Sequence, residues 1–149
     1  MIRPLVVITI SLILAGCGGE PGDSESFQNA EAVRAEIEAA AADTPVPPGT
    51  TPDVTLNDNG GVYEPGFGRQ LVQGRAMCAW FDYWLTALAA GRSDDAEVAS
   101  VASDQFSSWD IYIAADSSYT ELIDGIIDSA RLGDPTPMRQ FVENNCALT

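Results

Sequence analysis

Residues 70–90 read QLVQGRAMCAWFDYWLTALAA, and this run sets the class of fold. Apolar side chains recur there at helical spacing and cover most of the circumference of the predicted helix; they are Leu71, Met77, Cys78, Trp80, Phe81, Trp84, Leu85 and Leu88. A single strip of this helix is polar, and it consists of Arg75, Asp82 and Thr86. A helix that is apolar over so much of its surface is expected at the centre of a domain, with other helices packed around it.

Further helical segments follow the central helix, which we expect to end at Gly91. In the first of them, apolar residues recur at Val98, Ala102, Phe106, Trp109 and Ile113. The next segment begins at Ser118, its predicted N-cap. Every position that should lie on the buried face of this helix is occupied by an apolar residue, namely Tyr119, Leu122, Ile123, Ile126, Ile127 and Ala130. A last short helix after Thr136 carries Cys146 to the core. We therefore predict an all-α domain over residues 69–149, a small bundle of four to five helices.

Three segments precede this bundle. Residues 17–26 are polar, acidic and Gly-rich, which predicts a flexible tether. Residues 27–42 predict a helix with a thin apolar stripe made mostly of Ala, so this helix either packs weakly on the domain or forms a stalk. Residues 43–68 form a connector in which Pro and Gly are frequent, and proline makes such a segment extended and semi-rigid.

The second half of the connector contains several turn signals, among them Asn-Asp-Asn-Gly-Gly. Val54 and Leu56 before this turn, with Val62 and Tyr63 after it, predict a small hairpin.

The same part of the connector partly matches a calcium-binding loop. Oxygen-bearing side chains stand at loop positions 1, 3, 5 and 12, and they are Asp53, Thr55, Asn57 and Glu64. Asp58, however, occupies the sixth position, where such a loop requires Gly for its sharp turn. A turn-rich acidic loop without a metal ion is therefore the favoured interpretation.

The first 17 residues carry a targeting signal. A short basic start precedes an apolar run whose length covers only about half of a bilayer core, as in a signal peptide. The run ends in Leu14-Ala15-Gly16-Cys17, which resembles the lipobox of bacterial lipoproteins. In that family the Cys receives a diacylglyceryl group, and a signal peptidase cuts before it. The resemblance implies a signal peptide over residues 1–16 and a chain anchored by acyl groups on Cys17 to the extracytoplasmic side of the cell membrane; the alternative is an ordinary secretory signal or an uncleaved anchor.

Two cysteines remain once Cys17 is assigned to lipid. An even pair in an exported chain predicts a disulfide, here between Cys78 on the central helix and Cys146 on the last one. The chain-entropy model gives about 4 kcal/mol for closing a loop of this length, which is useful to a small bundle with a marginal core. The alternative is a pair of reduced, buried thiols.

Composition excludes several classes of function. The chain has 22 acidic side chains against 7 basic ones, all Arg, and no His, for a formal net charge of −15. Without His it lacks the commonest general base and transition-metal ligand, and without Lys it lacks the Schiff-base residue. Nucleic acid is excluded as a partner because phosphate binding needs clustered cations. We predict no metal ion and no cofactor.

Four carboxylates are candidates for general-acid catalysis or for binding of a divalent cation. Asp82 sits among aromatic residues, where it acts either as a general acid or, as we favour, in an ion pair such as one with Arg75. Glu121, Asp124 and Asp128 lie on the polar side of one helix and could attract Ca²⁺ or Mg²⁺. A solvated charged face is the favoured interpretation of these three residues.

The aromatic cluster of the central helix is the most unusual local feature, and it consists of Trp80, Phe81, Tyr83 and Trp84. Consecutive side chains on a helix point in several directions, so these four cannot all face one core. Those left outside predict a patch that binds a partner or an apolar ligand. The alternative is that neighbouring helices and the connector cover all four.

These observations together predict a lipid-anchored, non-catalytic binding or interaction module of the cell envelope. Its expected partners are membrane lipid, through acylated Cys17, and an envelope protein or an apolar ligand. The segment CAWFDYWL (residues 78–85) resembles those of small helical domains in envelope lipoproteins, a resemblance that implies no activity. Two alternatives stay open: a carboxylate-dependent envelope hydrolase, which needs two acids converging in a cleft, and a passive spacer.

Overall fold

Helix α2 (Phe67–Ala89) contacts almost every other helix, as its wide apolar surface requires. The computed structural model describes residues 27–146. The remaining elements follow in chain order: α1 (Ala30–Asp43) before α2, then α3 (Ser93–Ser103), a 3₁₀ turn (Phe106–Ser108), α4 (Asp110–Ile113), α5 (Ser117–Arg131), α6 (Thr136–Phe141) and a π turn (Val142–Cys146). No strand occurs between residues 27 and 146, and the predicted all-α fold is confirmed.

The core lies between α2 and the helices that follow it. Phe81 is fully buried at its centre, and its ring meets the rings of Phe106 and Phe141 edge to face, with centroids 5.7 and 5.6 Å apart. Ile123 and Ile126 of α5 close the far side of this cluster. Such aromatic pairs add about 0.5–1.5 kcal/mol each beyond the apolar area that they bury, so this cluster anchors the bundle.

Helix α1 packs along α2, which decides against a stalk. Val33 and Ala40 of its thin apolar stripe are almost completely buried. Gly68 of α2 lets the two helices approach closely, because a Cβ at this position would lie only 2.6 Å from the carbonyl oxygen of Val33. The small side chains of the stripe therefore serve a close contact between helices.

Glu36 fastens α1 to the start of α2, in a contact named the Glu36 clasp hereafter. Its carboxylate accepts hydrogen bonds from the backbone N–H groups of Gly66 and Gly68, both at 3.0 Å, and from the side-chain amide of Gln28 at 2.8 Å. The first N–H groups of a helix have no partner within it, so Glu36 caps α2 from a neighbouring helix. Partial burial alone raises the pKa of Glu36, but these hydrogen bonds and the charge of Arg69 outweigh it and lower the pKa from its ordinary value of 4.5.

The predicted hairpin in the connector is wrong. Val54 to Leu56 and Val62 form no strand, and Tyr63 pairs instead with Gln28, just before α1. The two residues exchange backbone hydrogen bonds of 2.7 and 2.9 Å, and the ring of Tyr63 stacks on Phe67 at 5.4 Å. The backbone groups that a hairpin would use at Tyr63 are therefore taken by a distant residue.

The predicted N-cap of α5 is also wrong. Helix α5 begins at Ser117, and the cap is Asp116, whose carboxylate accepts a hydrogen bond from the backbone N–H of Tyr119 at 3.0 Å. Ser118 lies inside the first turn and donates its hydroxyl proton to Asp116. That hydrogen bond and the one from Tyr119 lower the pKa of Asp116.

The predicted disulfide joins Cys78 of α2 to Cys146 of the π turn, with Cα atoms 5.6 Å apart. It ties the central helix to the C-terminal end of the described region, as expected. None of the helices described here combines the length and the apolar character that crossing a bilayer requires. The predicted signal peptide, Cys17 and the tether lie outside the described residues.

Candidate functional site

The predicted aromatic patch is not an exposed surface. Phe81 is inaccessible to solvent, and Trp80 and Trp84 are each only 6% exposed. The indole N–H of Trp80 donates a hydrogen bond of 3.0 Å to the carbonyl oxygen of Pro45, so the connector covers this side chain. Tyr83 is half-buried, and the guanidinium of Arg92 lies 5.8 Å from its ring centroid. The alternative, that neighbouring elements cover the cluster, therefore describes Trp80, Phe81 and Trp84, while Tyr83 stays partly exposed.

The connector creates a different candidate site where it crosses α2. The connector, α2 and the π turn together line an open groove with a volume of about 490 Å³, which we call the connector groove. Ala76 and Ala79 of α2 lie along it beside the disulfide, while Val46 of the connector and Val142 of the π turn form apolar walls. Ligand sites are typically apolar clefts of about 300–1,000 Å³ with a few polar groups, and this groove meets that description.

Charged side chains lie along this apolar lining. They are one guanidinium and three carboxylates: Arg75, Asp53, Asp82 and Glu143. The three acids are exposed to solvent, whereas Arg75 is half-buried. The groove therefore combines one cation with an acidic margin.

The predicted ion pair between Asp82 and Arg75 is not formed. Arg75 instead donates a hydrogen bond of 3.4 Å to the backbone carbonyl of Cys146. Asp82 is exposed, and it lies seven positions further along α2, about 10 Å along the helix axis, which is too far for a direct ion pair without both side chains turning toward each other. Within residues 27–146, neither residue takes part in a salt bridge.

A second cleft, of about 310 Å³, gathers the acids of α5. Arg131 bridges Asp104 and Asp128, and the hydroxyl of Tyr112 donates to both oxygens of Asp124 at 2.8 and 2.9 Å. The hydrogen bond to Asp124 is the main cause of a raised pKa at Tyr112. Two of the three carboxylates in this cleft, Asp104 and Asp128, thus converge on a shared arginine and form an ion-pair network.

The favoured interpretation of the α5 acids needs one correction. Asp124 and Asp128 are paired with Tyr112 and Arg131 instead of being only solvated, and Glu121 is exposed. Helix α4 brings Tyr112 to Asp124, which helical spacing within α5 does not reveal, whereas Arg131 lies three residues after Asp128 on α5 itself.

The candidate calcium loop is not assembled in the structure. Asp58, at the position that requires Gly, pairs with Arg34 of α1 at 3.1 Å and accepts a hydrogen bond from the backbone N–H of Gly60. Across the part of the chain that the structure describes, no three acidic or Cys side chains are placed to hold a metal ion.

Sequence reasoning found only part of the connector groove. It singled out Arg75, Asp82, Cys78 and Cys146, but for other roles, and it named Asp53 only as a calcium ligand. It missed the walls, which are Val46, Val142 and Glu143. The polar strip on α2 could have indicated the groove. Charged residues on a central helix must face either solvent or charged partners, so other helices cannot pack tightly over the strip.

No protein-family model matches the chain, and neither a curated protein nor a solved structure matches it.

Proposed function

We propose that the protein is a lipid-anchored, non-catalytic binding module of the cell envelope, and that the connector groove is its ligand site. The single observation that supports the site is a groove of about 490 Å³ with apolar walls and a half-buried arginine. Such a combination offers burial to an apolar ligand and one strong, oriented donor group to its polar end.

The lipobox Leu14-Ala15-Gly16-Cys17 supports the location. The disulfide between Cys78 and Cys146 agrees with it, because disulfides persist outside the reducing cytosol. Two or three acyl chains on Cys17 would hold the protein on the membrane, since each buried CH₂ contributes about 0.8 kcal/mol.

A non-catalytic role follows from what lines the groove. A nucleophile needs an adjacent base, and the groove offers Thr50 and Thr51 with exposed carboxylates rather than with His or Lys. An acid–base pair for glycoside chemistry needs two acids flanking one bond in a cleft. The converging acids Asp104 and Asp128 are committed to Arg131.

A thermal-shift experiment on the full lipidated chain in detergent tests the groove. The panel consists of short peptides, organic amines, sugars and fatty acids, and the variant Ala79→Phe fills the groove. Ala89→Phe is the matched control, because Ala89 is exposed on the same helix. We expect one class of compound to raise the Tm of wild type and Ala89→Phe but not of Ala79→Phe. If no class does so, the site is wrong and a spacer role gains support.

Mass spectrometry of the N-terminal peptide, after growth with a palmitate analogue, tests the anchor. We expect a chain that begins at an acylated Cys17 and a Cys17→Ser variant that carries no label. Gly18→Ala serves as the control because it leaves the thiol in place. A chain that retains Met1 and an unmodified thiol at position 17 contradicts the proposal.

A further inference from the structure

The charges of the connector groove are separated along α2. Arg75 and Asp82 both line the groove and lie seven residues apart, which places them about 10 Å apart along the helix axis. Cys78 and Ala79 lie between them on the same face. Along α2 the groove therefore presents a cation and, two helical turns further on, an anion, with Cys78 and Ala79 between them.

Arg75 has donors to spare. Its hydrogen bond to the carbonyl oxygen of Cys146 is long, at 3.4 Å, and uses one of the five N–H groups of the guanidinium. The described residues give it no carboxylate partner, although the chain is rich in acids. A planar guanidinium with vacant parallel donors fits a carboxylate in two-point contact.

The margin of the groove selects against anions. Asp53, Asp82 and Glu143 outnumber the one arginine, and the whole chain has a formal charge of −15. A ligand that carried only a carboxylate would be repelled by this field. A ligand with a carboxylate at one end and an ammonium group at the other satisfies both Arg75 and the acids.

The separation of Arg75 and Asp82 along the axis of α2 sets the length of the ligand. An extended chain spans about 3.3–3.6 Å per residue, so about three residues bridge 10 Å, whereas the two charges of a single amino acid lie too close together. Resting on the proposed function of the groove, we propose that it binds short apolar peptides of about three residues. The terminal carboxylate pairs with Arg75, the terminal ammonium lies at Asp82, and apolar side chains contact Val46 and Val142.

Isothermal titration calorimetry on the full lipidated chain in detergent tests this inference with the tripeptide Ala-Leu-Ala. We expect the peptide with two unmodified ends to bind, and C-amidation or N-acetylation to weaken binding by about tenfold to a hundredfold each. Arg75→Gln should weaken the unmodified peptide by the same factor and leave the affinity of the amidated one unchanged. Asp82→Asn should also weaken binding of the unmodified peptide, and it should leave the affinity of the N-acetylated peptide unchanged.

Two exposed residues outside the groove supply matched controls, and Arg139→Gln and Asp94→Asn should bind the unmodified peptide as wild type does. The comparison of peptide ends on wild-type protein decides the question even where a variant fails to fold. Equal affinity for all three peptides overturns the inference.

The failure of this inference is distinguishable from that of the proposed function. If tripeptides do not bind but another compound shifts the Tm in a manner blocked by Ala79→Phe, the peptide assignment is overturned and the groove remains a ligand site. If no compound acts through the groove, both are overturned.

Discussion

At the scale of single residues, Glu36 shows how one half-buried carboxylate can join two helices. A carboxylate whose pKa is lowered in the folded state stabilises that state above the pKa of the unfolded chain, and this stabilisation is lost as pH falls through the folded value. The Glu36 clasp should therefore be intact at neutral pH and weaken below about pH 4.5, the ordinary value for this group.

We expect Glu36→Gln to lower the free energy of unfolding at pH 7, because a neutral amide is a weaker acceptor for the N–H groups of Gly66 and Gly68. The difference in the free energy of unfolding between wild type and Glu36→Gln should become smaller as the pH falls from 4.5 toward 3. Urea denaturation at several pH values measures it, with exposed Glu38→Gln of the same helix as the control. A gap that stays constant across this range would show that ionisation of Glu36 is not involved.

Two glycines in helices should respond oppositely to the same substitution. Gly68→Ala places a Cβ 2.6 Å from the carbonyl oxygen of Val33 and should destabilise by about 1–3 kcal/mol, because backbone must move. Gly125→Ala on α5 meets no atom within 4 Å and should stabilise by about 0.5–1 kcal/mol through helix propensity. Chemical denaturation measures both variants, and a Gly68→Ala variant as stable as wild type or more stable would contradict the close approach of α1.

At the scale of elements, the connector is held by a side chain from the core. Trp80→Phe removes the N–H that binds the carbonyl oxygen of Pro45, so we expect amide exchange across residues 46–53 to accelerate. Trp84→Phe makes the same change in size elsewhere on α2 and should leave exchange in the connector as in wild type. Equal acceleration in both variants would indicate general loosening of the core instead.

Elements with strong local periodicity were predictable from the sequence, and elements that depend on distant partners were not. Helices α2 and α5 follow from spacing alone, since apolar residues must share a face to be buried. The hairpin failed because Tyr63 pairs with Gln28, 35 positions away in the chain. The sequence left open whether the aromatic cluster is exposed or covered, because the exposure of Trp80 depends on where the connector lies. The proline content of the connector indicates that it is stiff, but not which path it takes.

The groove was predictable only on its α2 side. The sequence predicted Arg75 and Asp82 as parts of a polar strip on α2. The ion pair predicted between them is not formed, and the stability of a helix as long as α2 does not depend on one. Val46 and Val142 come from segments on either side of α2 in sequence, and only the folded chain brings them together.

At the scale of the whole molecule, the disulfide links residues 68 positions apart, and closes most of the domain into one loop. We expect the double variant Cys78→Ala with Cys146→Ala to lose about 4 kcal/mol of stability, because the unfolded chain gains conformational entropy. Urea denaturation of wild type with and without a reducing agent gives the same comparison without mutation. An unchanged midpoint after reduction would show that the bundle does not depend on this link.

The pairing of Gln28 with Tyr63 determines how a force applied at the N-terminal side of the described region is transmitted. Tension applied there enters the described region at Phe27 and loads the two backbone hydrogen bonds of Gln28 first, then the Glu36 carboxylate behind them. Helix α1 is held to α2 by non-covalent contacts alone, whereas the disulfide between Cys78 and Cys146 joins the central helix covalently to the π turn. While the disulfide is intact, a pull along the chain therefore cannot extend the segment between Cys78 and Cys146, which are 68 positions apart.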